Sequence, residues 1–392
     1  MQQQQQRQSV AVFDVGSCST RIGFAGEEAP RVVSPTVVGV PRHRGVLGSL
    51  LQHHSDDYAG DDALEREGIL KLSRPVQDRR VVSFEGLEHI LHDALYTWLP
   101  VIPSETPLMW VEATGTPRKD RERLCEVLFE SFDIPLLGIT SAAAATVYST
   151  GRTTGLVLDS GEGCTTINAV WEGYILQHAL HVSHGAGRVL TDRLLAFLRG
   201  KGYALSTPRD RDIVESMKRS LCYVAADAAQ EVVKLQKKKE LVCYVLPDEQ
   251  RIYLHESQFM IPELLFTPSG DETDNDYNNS NINSSRCGGG WAEAVTQVVE
   301  SAPAFTQSHL YANIVLGGGN TMFPGIEERL QHDVAALNAG SRRSVNCIAF
   351  PDRDTAAWIG GSVAASMPTF LSTCLARKDY LEKGAALMHA KV

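Results

Sequence analysis

The feature that most constrains this chain is a short pattern that occurs twice. FDVGSCSTRIG at 13–23 and LDSGEGCTTIN at 158–168 share one shape: an apolar residue, Asp, a spacer, Gly, three small or polar positions, then Thr and a hydrophobic. The copies lie some 145 positions apart. One such loop is no more than a hairpin turn, but two in one chain point to a duplicated fold that grips one ligand from both sides. Length agrees, because 392 residues exceed the size at which a single core keeps growing, so two domains are expected.

Around each copy the chain reads strand, tight loop, strand. Val10 leads an apolar run into Asp14, and RIGFAG follows the turn. In the second copy Val157, Leu158, Ile167 and Val170 supply apolar strand positions. A dinucleotide-binding βαβ unit would need a helix directly after its glycines, so that class is disfavoured. Helices are expected elsewhere. Thr207, Pro208, Asp210 and Asp212 form a cap, a first-turn proline and first-turn acids. Ile213, Met217, Leu221 and Val224 then recur at helical spacing, which predicts an amphipathic helix over 208–230. A second helix is expected over 190–203, ending near Gly200 or Gly202.

Composition narrows the partners. A net charge of −10 argues against nucleic acid as a direct ligand, and the basic run KLQKKKE reads as solvated surface. Eight cysteines stand singly among mostly apolar neighbours, so buried reduced thiols are expected rather than zinc or a disulfide framework. No apolar stretch reaches the roughly 18 residues that span a bilayer, and MQQQQQRQS is too polar for a secretory signal; a cytosolic or nuclear protein is expected. The segment 269–290 is polar and glycine-rich at its end, the composition of an exposed loop.

The repeated loops carry phosphate chemistry. Gly lets a turn's backbone approach a phosphate closely, and its N–H groups donate. Ser17, Ser19 and Thr20 add hydroxyls in the first loop, and Ser160, Thr165 and Thr166 in the second. Asp14 and Asp159 each end a strand at the loop. Carboxylates facing polyphosphate repel it unless a cation intervenes, and Mg²⁺ prefers to keep several waters between carboxylates and phosphates. A third cluster, VLGGGNTMFPG at 315–325, can set Gly317, Gly318 and Gly319 against a nucleoside, with Met322 over a base. The three loops together favour a Mg²⁺–nucleotide.

Further segments give the chain a family resemblance. YSTGRTTGLVLDSGEG, AGRVLTD, SLCYVA, LYANIVLGGGNTMFPG and AAWIGGSVAAS stand in the order found in actin and the actin-related proteins, and the match is collinear over nearly the whole chain. The sequence resembles that family. Hexokinase and the Hsp70 chaperones share the duplicated scheme but not these segments.

The resemblance implies an α/β, duplicated ATPase fold: two domains of two subdomains each around a nucleotide cleft. It divides the chain into a Gln-rich tail, expected to be disordered, at 1–9 and a first domain of 10–149 plus 356–392. The first domain carries a small insertion at 36–74 that includes the filament-contact loop 41–60. The second domain is 150–355, with a small subdomain at 186–268 and the polar insertion 269–290. ATP or ADP contacts carry over to Asp14, Gly16, Ser17, Cys18 and Arg21, to Asp159, Gly161, Glu162 and Gly163, and to Gly187, Lys218, Arg219, Gly318, Gly319 and Met322. Mg²⁺, water-mediated, is expected at Asp14 and Asp159.

Departures from the family's pattern bear on activity. The glutamine that positions the attacking water falls at Ala142, and the histidine that assists it falls at Thr166. Neither replacement suits proton handling, so weak or absent hydrolysis is expected. The family's phosphate lysine is Arg21, one of its glycines is Cys18, and its cleft histidine falls at Asp78. Reversed charges at Arg219 and Asp354 suggest that these two pair. The acidic tail is gone, and the segment at 269–290 has no Leu, Phe or Met for the apolar plug of a filament.

The expected partners are other actin-family subunits through 41–60, actin-binding proteins or complex subunits, with neither nucleic acid nor membrane. Two roles follow, a cytoskeletal protein with impaired polymerisation or a non-polymerising scaffold subunit of a dynactin-like, nucleating or chromatin-remodelling assembly. A sugar-kinase-like enzyme ranks last, since no segment outside the match supplies its catalytic Asp.

Overall fold

The computed structural model describes residues 9–42, 57–78, 80–184, 186–237, 242–246, 249–267, 290–340 and 343–391. Residues 1–8 of the Gln tail, 43–56 of the 41–60 loop, 238–240 of the lysine run and 269–289 of the polar insertion fall outside them, so the expectations there do as well. The described start of the lysine run, Lys234 and Lys237, is exposed as expected. The described residues divide into two compact units, one running to Thr153 and resuming at Thr355, the other Thr154–Asp354.

Unit 1 is built on a six-stranded sheet. Strands β1 (Ala11–Val15), β2 (Ser19–Phe24) and β3 (Val32–Pro35) form an antiparallel meander. On the other side of β1, strands β4 (Leu108–Glu112) and β5 (Leu136–Ser141) add in parallel. The short strand Leu375–Ala376 closes that edge. Strand β4 is buried along its whole length, as a strand covered on both faces must be. A smaller three-stranded sheet, Val38–Pro41, Tyr58–Ala59 and Leu70–Ser73, has its own core of Val37, Ala63 and Leu70.

Unit 2 repeats the plan. Strands β6 (Gly155–Ser160), β7 (Cys164–Trp171) and β8 (Tyr174–His184) form the antiparallel meander. Strands β9 (Ile314–Gly317) and β10 (Cys347–Ile348) add in parallel beside β6. Two sheets of one topology, each led by one copy of the repeated motif, are what a duplication predicts.

One face of the unit 1 sheet is sealed by two helices that meet backbone to backbone. Helix α1 (Ala142–Tyr148) starts at the Ser141 cap, whose hydroxyl accepts from the Ala143 N–H at 3.3 Å. The helix Ala356–Ser366 crosses it so closely that a Cβ on Gly360 would overlap the carbonyl of Ala145. Trp358 of the same helix is fully buried and donates its indole N–H to the Val12 carbonyl at 3.1 Å. The Ser362 hydroxyl accepts from Gly26 N–H at 2.9 Å and donates to the Glu27 carbonyl at 2.9 Å. WIGGS is therefore a packing motif: tryptophan anchors the strand, glycine allows the approach and serine ties the turn.

Helix α2 runs Ala186–Gly200, four residues earlier at its start than 190–203, and Gly202 follows with φ +92°. Helix α3 runs Pro208–Leu221 and opens on a complete capping box between Thr207 and Asp210. It does not reach 230. Cys222 is extended (φ −82°, ψ 149°), and a separate helix spans Ala228–Lys237. Val224 keeps the apolar period only because it is buried where the chain leaves the helix. No described helix is long and apolar enough to cross a membrane.

Of the described cysteines, Cys125, Cys164, Cys222, Cys347 and Cys374 are buried, whereas Cys18 and Cys243 are part-exposed. Burial pushes the Cys125, Cys222, Cys347 and Cys374 thiols up to about 12. The thiolate is the reactive form, so these four should resist alkylation of native protein at neutral pH while Cys18 and Cys243 react. Peptide mapping after iodoacetamide treatment checks this. Gly360→Val should cost at least about 3 kcal/mol by overpacking against Ala145, read as a lowered denaturation midpoint.

Candidate functional site

The two copies of the motif are hairpins with the same register. In the first, Asp14 pairs with Arg21 and Val15 with Thr20, and Gly16 N–H donates to Ser19 O at 3.0 Å across the tip. In the second, Asp159 pairs with Thr166 and Ser160 with Thr165, and Gly161 N–H donates to Cys164 O at 3.1 Å. Each tip is fastened below by its own strands, which leaves the Gly and Ser or Glu positions at the turn.

Several of the expected hydroxyls make hydrogen bonds within the protein. Thr20 is fully buried and shares a 2.9 Å hydrogen bond with Thr36. Ser160 and Thr165 share one at 2.7 Å. Thr166 is buried and accepts from Asn168 Nδ2 at 3.2 Å. Strand alternation explains Thr20, Ser160 and Thr165, which flank the tips on the face opposite Asp14 and Asp159, whereas Thr166 shares the face of Asp159 and is occupied by Asn168. These hydroxyls hold the hairpins together. At the first tip, Ser17 O accepts from Arg74 Nη1 at 3.3 Å and Cys18 O from Thr36 N–H at 2.9 Å.

In unit 2 the expected residues converge on the hairpin tip. Gly187, in the first turn of α2, donates its N–H to Gly161 O at 3.0 Å, and Arg188 N–H donates to Glu162 O at 2.8 Å. Gly163 is buried beneath them. Lys218 of α3, 3% exposed, donates from Nζ to Gly187 O at 2.9 Å and Thr191 Oγ1 at 2.9 Å. Gly318 turns at φ +83° after β9, and a Cβ there would strike Ser160 O and Asp159 Oδ1. At Gly319 a Cβ would meet no protein atom within 4 Å. Met322, 39% exposed, ends that turn.

Two residues of this cluster escaped the sequence reading. Asn320 donates from Nδ2 to Ser160 Oγ at 3.0 Å and Gly161 O at 2.6 Å, joining the third loop to the second. Arg353 donates from Nη2 to Thr321 O at 2.7 Å, and Gly318 N–H donates to Arg353 O at 3.0 Å. An asparagine after three glycines is the one signal that was available, since Asn commonly ties turns through its side chain. The Arg219–Asp354 pairing is not formed. Arg219 pairs instead with Glu215, one turn back on α3, because the i, i+4 spacing sets the two side chains adjacent.

In unit 1, Arg21 Nη1 donates to Asp14 Oδ2 at 3.1 Å. Burial pushes the Asp14 carboxyl above its ordinary range, while the charge and hydrogen bond of Arg21 pull it down. Ala142 begins α1 and offers only a methyl. Asp78 has a left-handed backbone at φ 45°. Among the described residues no group of three or more His, Cys, Asp or Glu could hold a metal by itself. A Mg²⁺ kept largely by water and phosphate needs fewer protein ligands. Asp14 is engaged by the Arg21 guanidinium, and Asp159 pairs across its strands with the uncharged Thr166.

Unit 1 also bears a half-open pocket of about 440 Å³, lined by Met109, Ile139, Met367 and Phe370 together with Thr140 and Arg152 among others.

A pair of like-wound α/β sheets, each led by a glycine hairpin with an acid at its base, defines a duplicated class of fold. A protein-family model described as Actin matches residues 5–392, and the chain belongs to the actin family. Proteins of that family generally bind ATP or ADP with Mg²⁺ and commonly associate with other actin-family subunits and binding proteins.

Asn320→Ala removes two hydrogen bonds and leaves the Gly161 carbonyl without that donor. A loss of about 1–3 kcal/mol is expected, with the denaturant slope unchanged, from equilibrium unfolding.

Proposed function

We propose that this protein is an actin-like protein that binds ATP with Mg²⁺ and hydrolyses it slowly or not at all. The observation that carries this reading is the pair of hairpins in one register, each with an acid at its base and a glycine at its tip. Backbone N–H groups at such tips suit phosphate oxygens, and the open face of Gly319 with Met322 nearby suits a nucleoside. Asp14, Gly16, Ser17, Cys18 and Arg21 are the proposed contacts from unit 1. Asp159, Gly161, Glu162, Gly163, Gly187, Lys218, Gly318, Gly319 and Met322 are those from unit 2, with Arg219 at the rim.

Slow turnover follows from two positions. The Ala142 methyl can neither donate to nor accept from water. Thr166 already accepts from Asn168, and its hydroxyl has no pKa near neutrality. Losing such proton handling lowers rates by about 10²–10⁴-fold. Single-turnover phosphate release should therefore be at least ~10²-fold slower than for a conventional actin filament. Release at the conventional rate would remove this part of the proposal.

We further propose a cytoskeletal role in the cytoplasm, with other actin-family subunits as partners. The alternative, a scaffold subunit of a larger complex, is favoured by Ala142 and Thr166 at the hydrolysis positions, by the polar composition of 269–290 and by the non-acidic tail. Sedimentation in Mg²⁺-ATP at rising concentration separates them. A critical concentration with filaments in the pellet supports the first role, and protein that stays in the supernatant throughout supports the second.

A further inference from the structure

The tip of the second hairpin is held by its carbonyls. Gly161 O accepts from Gly187 N–H at 3.0 Å and from Asn320 Nδ2 at 2.6 Å, and Glu162 O accepts from Arg188 N–H at 2.8 Å. A carbonyl oxygen has two lone pairs, and Gly161 O uses both. In a planar trans peptide the C=O and the N–H point opposite ways. Holding Gly161 O against α2 and the third loop therefore turns Glu162 N–H away from them, and holding Glu162 O does the same for Gly163 N–H. Two of these donors are backbone and one, Asn320, is a side chain. It is 5% exposed, and because Gly161 O can only accept, its amide must present the NH₂ rather than the oxygen. The other hydrogen of that NH₂ goes to Ser160 Oγ at 3.0 Å. Room for the amide exists because residue 187 is Gly: a Cβ there would lie 2.9 Å from Asn320 Oδ1.

We propose that Asn320 is a positioning residue for phosphate. It fixes the peptide between Gly161 and Glu162 so that the N–H of that peptide, rather than its C=O, faces the phosphate oxygens of a nucleotide. The sign of the dipole is what matters. A phosphate oxygen is attracted by an N–H and repelled by a carbonyl oxygen, so a turned peptide would convert a favourable contact into an unfavourable one. Such a turn costs least at a glycine, which has no Cβ to restrict its backbone angles. The freedom that lets the tip approach a phosphate also lets it rotate the wrong way, and Asn320 prevents that by acting through Gly161 O. Asn320 follows Gly319 and stands two residues before Met322, so the loop proposed for the nucleoside also sets the phosphate turn. This rests on the nucleotide reading and deepens it: the third loop acts on the phosphates as well as on the nucleoside.

Equilibrium dialysis of the full chain with ATP in MgCl₂ tests this, each variant first being shown to be folded by its circular dichroism. Asn320→Ala should bind ATP at least about fivefold more weakly than wild type. Gln307→Ala controls for a merely structural loss. Gln307, in the helix Ala304–Tyr311, likewise donates from Nε2 to two carbonyls of unit 2, Glu300 O at 3.3 Å and Ala302 O at 3.0 Å. That variant should bind ATP within about threefold of wild type. Should Asn320→Ala fail to fold, Asn320→Ser replaces two donor hydrogens by one, and it should bind at least about threefold more weakly than wild type. A smaller loss than these overturns the inference and leaves the nucleotide reading standing. An equal loss in Gln307→Ala also overturns it, because any weakening of unit 2 would then suffice. Absence of ATP binding by wild type overturns the nucleotide reading itself, and this inference with it.

Discussion

One hydrogen bond across each hairpin tip sets most of what matters in this protein. The bonds from Gly16 N–H to Ser19 O and from Gly161 N–H to Cys164 O fix where the strands stop pairing. Once that point is set, alternation sends Asp14 and Asp159 to one side of their strands and the residues beside the tip to the other. A slip of one residue would reverse this, moving the acids to the opposite face and exposing Thr20 and Thr165, which are now buried. The turn glycines therefore position charges that lie two residues away.

The second unit builds outward from its tip by donors that converge on carbonyls. Gly161 O accepts from both Gly187 N–H and Asn320 Nδ2, and Gly187 O in turn accepts from Lys218 Nζ. A buried lysine is tolerable because an oxygen lies on each side of its ammonium, Gly187 O and Thr191 Oγ1. The site is thereby made rigid before any ligand arrives, and rigidity of this kind lowers the ordering cost of binding.

Much of this was legible in the sequence, for identifiable reasons. The hairpins were readable because Asp, Gly and Thr recur at fixed offsets, and the start of α3 because Thr207, Pro208 and Asp210 form a local unit. The end of α3 was not readable, because Val224 continues an apolar period after the backbone has become extended. Side-chain partners were harder. Arg219 had two acids to choose from on charge alone, and only the helix showed Glu215 to be within reach. Neither Asn320 nor Arg353 stood out, since each acts on backbone that lies close only after folding.

The helix that carries Trp358 has a consequence for how the molecule is made. Trp358 is bound to Val12 across 346 positions, with the whole of the second unit between them. During synthesis, all of Thr154–Asp354 leaves the ribosome before this helix does. The second unit can thus finish folding while β1 still lacks the cover that Trp358 provides and α1 lacks the Gly360 contact. For that interval the nascent chain shows apolar strand surface, the kind of surface that chaperones protect. The part that closes the first unit is translated only after the whole of the second.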